Sequence, residues 1–194
     1  MKKSNSLKEF ALKNNVPILS DEGQTFIIKL IKEKSVKSIL EIGTAIGYSA
    51  ISFALEGALV TSIERNEKMY LEACKNVDLF QFNDRITLIN EDALLLEIST
   101  KFDLIFIDAA KAQYYKFFNK YKANLNESGC IVCDNLNFHN LDPNKVSRGT
   151  RQLLRKINEF KQYLRTNNEF VTSFYDIGDG MSVSVRNEKI NNNL

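Results

Sequence analysis

The side chains best suited to chemistry stand at the ends of short apolar runs. Phe106-Ile107-Asp108-Ala109-Ala110-Lys111 closes one run and Val132-Cys133-Asp134-Asn135 closes another. As neighbouring parallel strands, these runs would bring Asp108, Asp134 and Asn135 into one small volume. Two carboxylates so close repel, and a bound cation removes that cost. An all-oxygen set suits a hard ion such as Mg²⁺ or Mn²⁺, whereas zinc and copper favour nitrogen or sulfur. The competing reading makes Asp108 and Asp134 simple caps of the following helices. Lys111 lies about one turn beyond Asp108. A nearby cation and partial burial would lower its pKa toward that of a general base. The alternative is a solvated surface lysine.

A second group surrounds Leu40-Glu41-Ile42-Gly43-Thr44-Ala45-Ile46-Gly47-Tyr48-Ser49. Gly43 permits a sharp turn beside a ligand, and Gly47 permits close approach of the following helix. The pattern is not the dinucleotide fingerprint, and Glu41, two residues before Gly43, would repel a phosphate. Glu64, after Leu59–Ile63, suits ribose hydroxyls, while Asp92, after Ile86–Ile89, suits an adenine amino group. Jointly, Glu41, Gly43, Gly47, Glu64 and Asp92 favour a nucleoside without phosphates, such as S-adenosylmethionine. Taken singly, each is a tight turn or a solvated loop charge.

The elements that must hold these groups follow from periodicity. Strands are expected at Ser38–Ile42, Leu59–Ile63, Ile86–Ile89, Leu104–Ile107 and Cys130–Cys133. Helices are expected at Glu22–Lys34, Ala50–Leu55, Glu67–Phe80 and Tyr114–Leu125, with another ending near Leu164. Strand and helix in alternation imply a doubly wound, mostly parallel α/β sheet with helices on both faces. The runs Phe170–Ile177 and Met181–Val185, joined across Gly178-Asp179-Gly180, suggest a closing antiparallel hairpin. One domain over residues 1–194 is expected, with a helical segment at 1–35 and a loose tail at 187–194.

Composition bounds the rest. The 194 residues are 44% hydrophobic and 26% charged, an ordinary globular balance. No apolar run approaches the roughly 20 residues of a membrane span, and the amphipathic start argues against a signal peptide. Three cysteines make no disulfide framework, so a cytoplasmic protein is expected. Cys130, Cys133 and His139 supply at most three zinc ligands, and the cysteines read as buried thiols. The net charge of +2 says nothing about nucleic acid. Locally, Arg148, Arg151 and Arg155 are spaced for one helical face beside Lys145 and Lys156. That stripe could hold phosphates or simply face solvent.

Together these residues resemble the metal-dependent class I O-methyltransferases, the family of catechol and caffeoyl-CoA O-methyltransferases. The likeness runs from about Val16 to Arg186. It is most specific at Leu40–Ser49, Phe106–Lys111, Asp134-Asn135 and Gly178-Asp179-Gly180. Val16-Pro17-Ile18-Leu19 and Lys111-Ala112-Gln113-Tyr114 are similar to the short bacterial branch that methylates 5-hydroxyuridine at the tRNA wobble position. The resemblance implies a seven-stranded sheet with an antiparallel last strand, S-adenosylmethionine as donor, a divalent cation and a homodimer. It places Leu19, Ser49, Glu64, Asp92 and Asp108 at donor positions. Asp108, Asp134 and Asn135 fall at metal positions, and Lys111 at that of the proposed base.

Two departures bear on the acceptor. The segment before Val16 is shorter than in the plant enzymes. A carboxylate that helps to hold catechol in the animal enzyme has no counterpart near Ser173. The expected activity is O-methylation of 5-hydroxyuridine in tRNA, with a small vicinal-oxygen phenol as the alternative acceptor. A binder of S-adenosylmethionine without turnover is a different class, and it would need neither the metal set nor Lys111.

Overall fold

The computed structural model describes residues 2–137, 142 and 145–188. His139 and the tail beyond residue 188 lie outside them. The strands are β1 (Ser38–Ile42), β2 (Leu59–Ile63), β3 (Ile86–Ile89), β4 (Phe102–Ile107), β5 (Leu125–Cys133), β6 (Phe170–Tyr175) and β7 (Met181–Arg186). They form one seven-stranded sheet in the order β3-β2-β1-β4-β5-β7-β6. β1, β2 and β3 pair in parallel, as do β4 and β5, whereas β7 runs antiparallel to both β5 and β6. The helices are α1 (Lys2–Lys13), α2 (Asp21–Glu33), α3 (Tyr48–Leu55), α4 (Glu67–Phe80), α5 (Tyr114–Tyr121) and α6 (Arg148–Thr166). The sheet is the Rossmann-like, mostly parallel arrangement with an antiparallel last strand that the sequence implied. The chain gathers into two compact units, Met1–Ile98 and Ser99–Leu194.

In the first unit, β1 buries Ile39, Leu40 and Ile42, the near-continuous apolar run of a strand covered on both faces. Helix α2 begins where the Ser20 side chain accepts from the Gly23 N–H at 3.1 Å, and it buries Ile27 and Ile31. Phe26 and Leu30 flank that stripe, half-buried. Asn66 starts α4 by accepting from the N–H groups of Lys68 and Met69.

In the second unit, Leu104 to Ile107 of β4 are wholly buried. Helix α6 turns Leu154, Ile157, Phe160 and Leu164 inward, a spacing of three and four residues. Its Phe160 meets Tyr114 and Phe118 of α5 edge-on, at ring separations of 5.7 and 6.0 Å. Such contacts add about 0.5–1.5 kcal/mol each beyond area burial. They fix α5, which follows the Asp108 turn, against α6.

Two boundaries differ most from expectation. The helix expected over Tyr114–Leu125 stops at Tyr121, passes through a 3₁₀ turn at Lys122–Asn124, and gives way to β5. Leu125 lies four residues after Tyr121, so it continues the apolar helical stripe although it opens a strand. β5 accordingly begins well before Cys130, through a register irregularity that pairs Leu125 with Phe102 and Cys130 with Leu104. Gly129 sits in that irregularity. A Cβ there would lie 2.7 Å from the Asp103 carbonyl oxygen.

Candidate active site

The turn after β1 is built from left-handed backbone. Gly43, Ala45 and Gly47 have φ of +102°, +46° and +83°. The Gly43 N–H donates to the Ile63 carbonyl at 3.0 Å, which ties the turn to the end of β2. Asn76, buried on α4, donates through Nδ2 to the Ile46 carbonyl at 2.9 Å. A Cβ on Gly47 would stand 3.5 Å from Ala73 Cβ, an ordinary contact. Backbone conformation, more than helix approach, is therefore what requires glycine there.

Glu64 spans this turn. Its Oε2 accepts from the Ala45 N–H at 2.9 Å and its Oε1 from the Asn66 N–H at 2.8 Å. Its carbonyl accepts from Asn90 Nδ2 at 2.7 Å, which adds the end of β3 to the same network. Asp92 follows in the next turn, where Oδ1 accepts from the Leu94 N–H at 2.8 Å. Ser49 is buried in the first turn of α3, and Leu19 is buried just ahead of α2.

Glu41 is the penultimate residue of β1. Its side chain is wholly buried, and Oε2 accepts from Ser62 Oγ, its register partner on β2. Ser62 Oγ in turn bonds to Thr44 Oγ1. Through Ser62, Glu41 Oε2 is thus tied to Thr44 of the glycine turn, while Oε1 is buried without a hydrogen-bond partner among the described residues. Thr44 and Ser62 went unrecognised in the sequence, because only strand register aligns positions so far apart.

In the second unit, β4 and β5 do deliver their carboxylates together. The Asp134 N–H donates to the Ile107 carbonyl at 3.2 Å. Asn135 Nδ2 donates to Asp134 Oδ2 at 2.7 Å and reaches Asp108 Oδ1 at 3.4 Å. Burial, then the neighbouring Asp108 charge, pushes the Asp134 carboxyl up to about 7, against the pull of the Asn135 N–H and Lys111. Burial also raises Asp108, with Lys111 opposing it. Lys111 opens a 3₁₀ turn, Lys111–Gln113, so its charge acts on both carboxylates. Among the described residues no three Asp, Glu, His or Cys side chains are grouped to hold a metal. The set here is two carboxylates and an amide.

Two further residues support the pair. Tyr114, wholly buried, donates its hydroxyl to the Asp134 carbonyl at 2.9 Å. Burial pushes the Cys133 thiol up to about 12, against the opposing pull of Ser182, as befits a structural thiol. The arginines lie on α6, a helix that packs against the Lys111–Gln113 turn. Arg148, Arg151 and Arg155 are all exposed there, and Arg155 pairs with Glu159 at 3.5 Å. No helix among the described residues is long and apolar enough to cross a membrane.

Comparison with known proteins places this geometry. The O-methyltransferase family model matches residues 3–187. A caffeoyl-CoA O-methyltransferase of Populus kitakamiensis is 26% identical over 193 residues, 92% of this chain and 82% of that protein. A catechol O-methyltransferase of Niastella koreensis is 32% identical over 144 residues, 69% of this chain and 63% of that protein. A solved Staphylococcus aureus structure, provisionally described as a caffeoyl-CoA O-methyltransferase, is 38% identical with a TM-score of 0.90. It covers 95% of this chain and 92% of its own. The chain belongs to the O-methyltransferase family.

Proposed function

We propose that the protein methylates an oxygen of a small phenol bearing two adjacent oxygens, with S-adenosylmethionine as donor and a divalent cation at Asp108, Asp134 and Asn135. The carrying observation is the Asp108–Asp134 pair, two half-buried to buried carboxylates placed together by β4 and β5, where burial and then mutual repulsion lift Asp134. Asn135 already turns the positive end of its amide dipole toward both. A cation does the same work more strongly, and a half-turn of that amide presents Oδ1 to it. Two carboxylates and one amide oxygen fit a hard ion that completes its shell from water or acceptor oxygens.

Such an ion supplies Lewis acidity that lowers the pKa of a chelated hydroxyl. Lys111, whose charge already acts on both carboxylates, would stabilise the oxyanion, and in its neutral form would take the proton of the hydroxyl. S-adenosylmethionine supplies the electrophilic methyl group. Glu64 offers carboxylate lone pairs to ribose hydroxyls, Asp92 offers an acceptor for the adenine amino group, and the Gly43–Gly47 turn is bonded to Glu64 through the Ala45 N–H. The caffeoyl-CoA and catechol enzymes among the relatives support a small phenolic acceptor. A second reading, transfer to 5-hydroxyuridine in tRNA, rests on the exposed stripe of Arg148, Arg151 and Arg155.

The test is methyl transfer from labelled S-adenosylmethionine to catechol and to caffeoyl-type diphenols, with Mg²⁺ or with EDTA. The expected product is a mono-methyl ether formed only with the metal. Methylation confined to tRNA containing 5-hydroxyuridine would replace the first reading with the second.

A further inference from the structure

We infer that Asn137 is a positioning residue for the Asp134-Asn135 pair, clamping it to the Gly178-Asp179-Gly180 turn between β6 and β7. The inference rests on the metal role proposed for that pair. Asn135 has a φ of +61°, left-handed backbone that asparagine adopts more readily than other residues with a side chain. Upstream, the peptide is held by Ile107 and Tyr114. Downstream, the Leu136 N–H donates to the Gly180 carbonyl at 2.8 Å and the Asn137 N–H to the Asp179 carbonyl at 2.7 Å. The turn therefore continues the β5 edge past its last sheet pair and fixes the exit of the ligand-bearing segment.

The Asn137 side chain completes the clamp. Nδ2 donates to Asp176 Oδ1 at 3.0 Å, and Oδ1 accepts from Lys161 Nζ on α6 at 3.1 Å. One amide thus joins the turn, α6 and the segment after Asp134. Its fit explains the second glycine of the turn. A Cβ on Gly180 would lie 2.5, 2.7 and 2.8 Å from Asn137 Cγ, Nδ2 and Oδ1. Gly180, at φ +85°, meets a demand of conformation and also one of space. A hairpin turn alone would make only the first demand, so the Gly-Asp-Gly motif serves the carboxylate site as well as the hairpin.

The experiment is Mn²⁺ titration of the full chain by electron paramagnetic resonance, for wild type, Asn137→Ala, Asn137→Asp and Gly180→Ala. Parallel calorimetry with S-adenosylhomocysteine reads the other ligand. Loss of a residue that orients metal ligands costs ten- to a hundredfold in metal affinity. That loss is expected in all three variants, with S-adenosylhomocysteine affinity within about twofold of wild type. Asn137→Asp keeps the volume and serves if Gly180→Ala does not fold. Phe170→Leu, in the core of β6, is the control for lost stability and should leave Mn²⁺ affinity unchanged. Wild-type Mn²⁺ affinity in both Asn137 variants overturns the clamp, as does an equal loss in Phe170→Leu. A wild type that takes up no Mn²⁺ overturns the metal role itself, and is seen before any variant is compared.

Discussion

The carboxylate of Glu64, at the end of β2, accepts a hydrogen bond at 2.9 Å from the backbone N–H of Ala45, in the turn after β1. Ala45 is the residue of that turn with a Cβ in left-handed backbone, at φ +46° between two glycines. The bond therefore secures a conformation that the residue itself disfavours. The other carboxylate oxygen is engaged by the Asn66 N–H. A carboxylate has about four lone-pair positions, so two are left for an outside donor such as a vicinal diol.

Glu64 should accordingly matter twice, to the shape of the turn and to the ligand. Glu64→Gln keeps one amide oxygen as acceptor and loses the charge. Glu64→Ala loses both bonds and leaves the Ala45 N–H without this partner. S-adenosylhomocysteine affinity should fall by about 1.5–3 kcal/mol in Glu64→Ala, as for a hydrogen bond to a charged group, and by less in Glu64→Gln. Calorimetric titration checks the order. Equal affinity in wild type and a folded Glu64→Ala would remove this residue from donor binding.

Gly47 and Gly57 offer a comparison of conformation with space. Both have positive φ, +83° and +90°. A Cβ at Gly57, which follows α3, meets nothing within 4 Å, and one at Gly47 meets Ala73 at ordinary contact distance. Gly47→Ala and Gly57→Ala should therefore cost about the same, roughly 1–2 kcal/mol for the left-handed backbone. Urea unfolding of both variants measures it. A penalty at Gly47 larger by several kcal/mol would show that α4 packs more tightly there than this geometry allows.

How far the sequence foretold these relationships depends on their range. β1, β2, β3 and α4 coincide with the expected spans because turn residues and caps such as Asn66 punctuate them locally. Asp108, Asp134 and Asn135 were legible because consecutive parallel strands carry their ends to the same side of a sheet. Glu41 was legible only in part, for a matching reason. Its place two residues before Gly43 could be read, but only the pairing with Ser62 shows that one of its carboxylate oxygens is bonded inside the protein. The end of α5 was hidden by Leu125, which suits a helical stripe and a strand equally. Asn137 carried no local signal, and the motif containing Tyr114 gave no hint of its bond to Asp134, since their partners lie on other elements.

Metal removal should be visible in stability as well as in turnover. A ligand that binds only the folded state stabilises it by an amount that grows with concentration over its dissociation constant. Millimolar Mg²⁺ or Mn²⁺ should raise the thermal midpoint of the wild type after EDTA treatment. It should leave Asp134→Asn where it was, and methyl transfer should follow the same pattern. Differential scanning calorimetry with and without the ion is the check. Full activity in chelator after exhaustive dialysis would sink the metal mechanism.

The acceptor is decided by separating α6 from the carboxylate pair. Arg148, Arg151 and Arg155 share an exposed face, and Arg155 is engaged with Glu159 on the same helix. Exposed pairs of this kind contribute little to stability, so substitution there should leave the fold intact. With a small phenol as the substrate, Arg148→Ala/Arg151→Ala should methylate catechol at the wild-type rate, because Asp108, Lys111, Asp134 and Asn135 are untouched. With tRNA as the substrate, each arginine that meets a phosphate should contribute about one counterion to the salt dependence of binding, and the double variant should flatten that dependence. The paired measurement is methylation of a free catechol and of tRNA carrying 5-hydroxyuridine, by wild type and double variant, across a salt series. Catechol turnover indifferent to the arginines, with no transfer to the tRNA, is the expected result. Robust transfer to the tRNA that weakens in the double variant and with rising salt would assign the protein to nucleic acid instead.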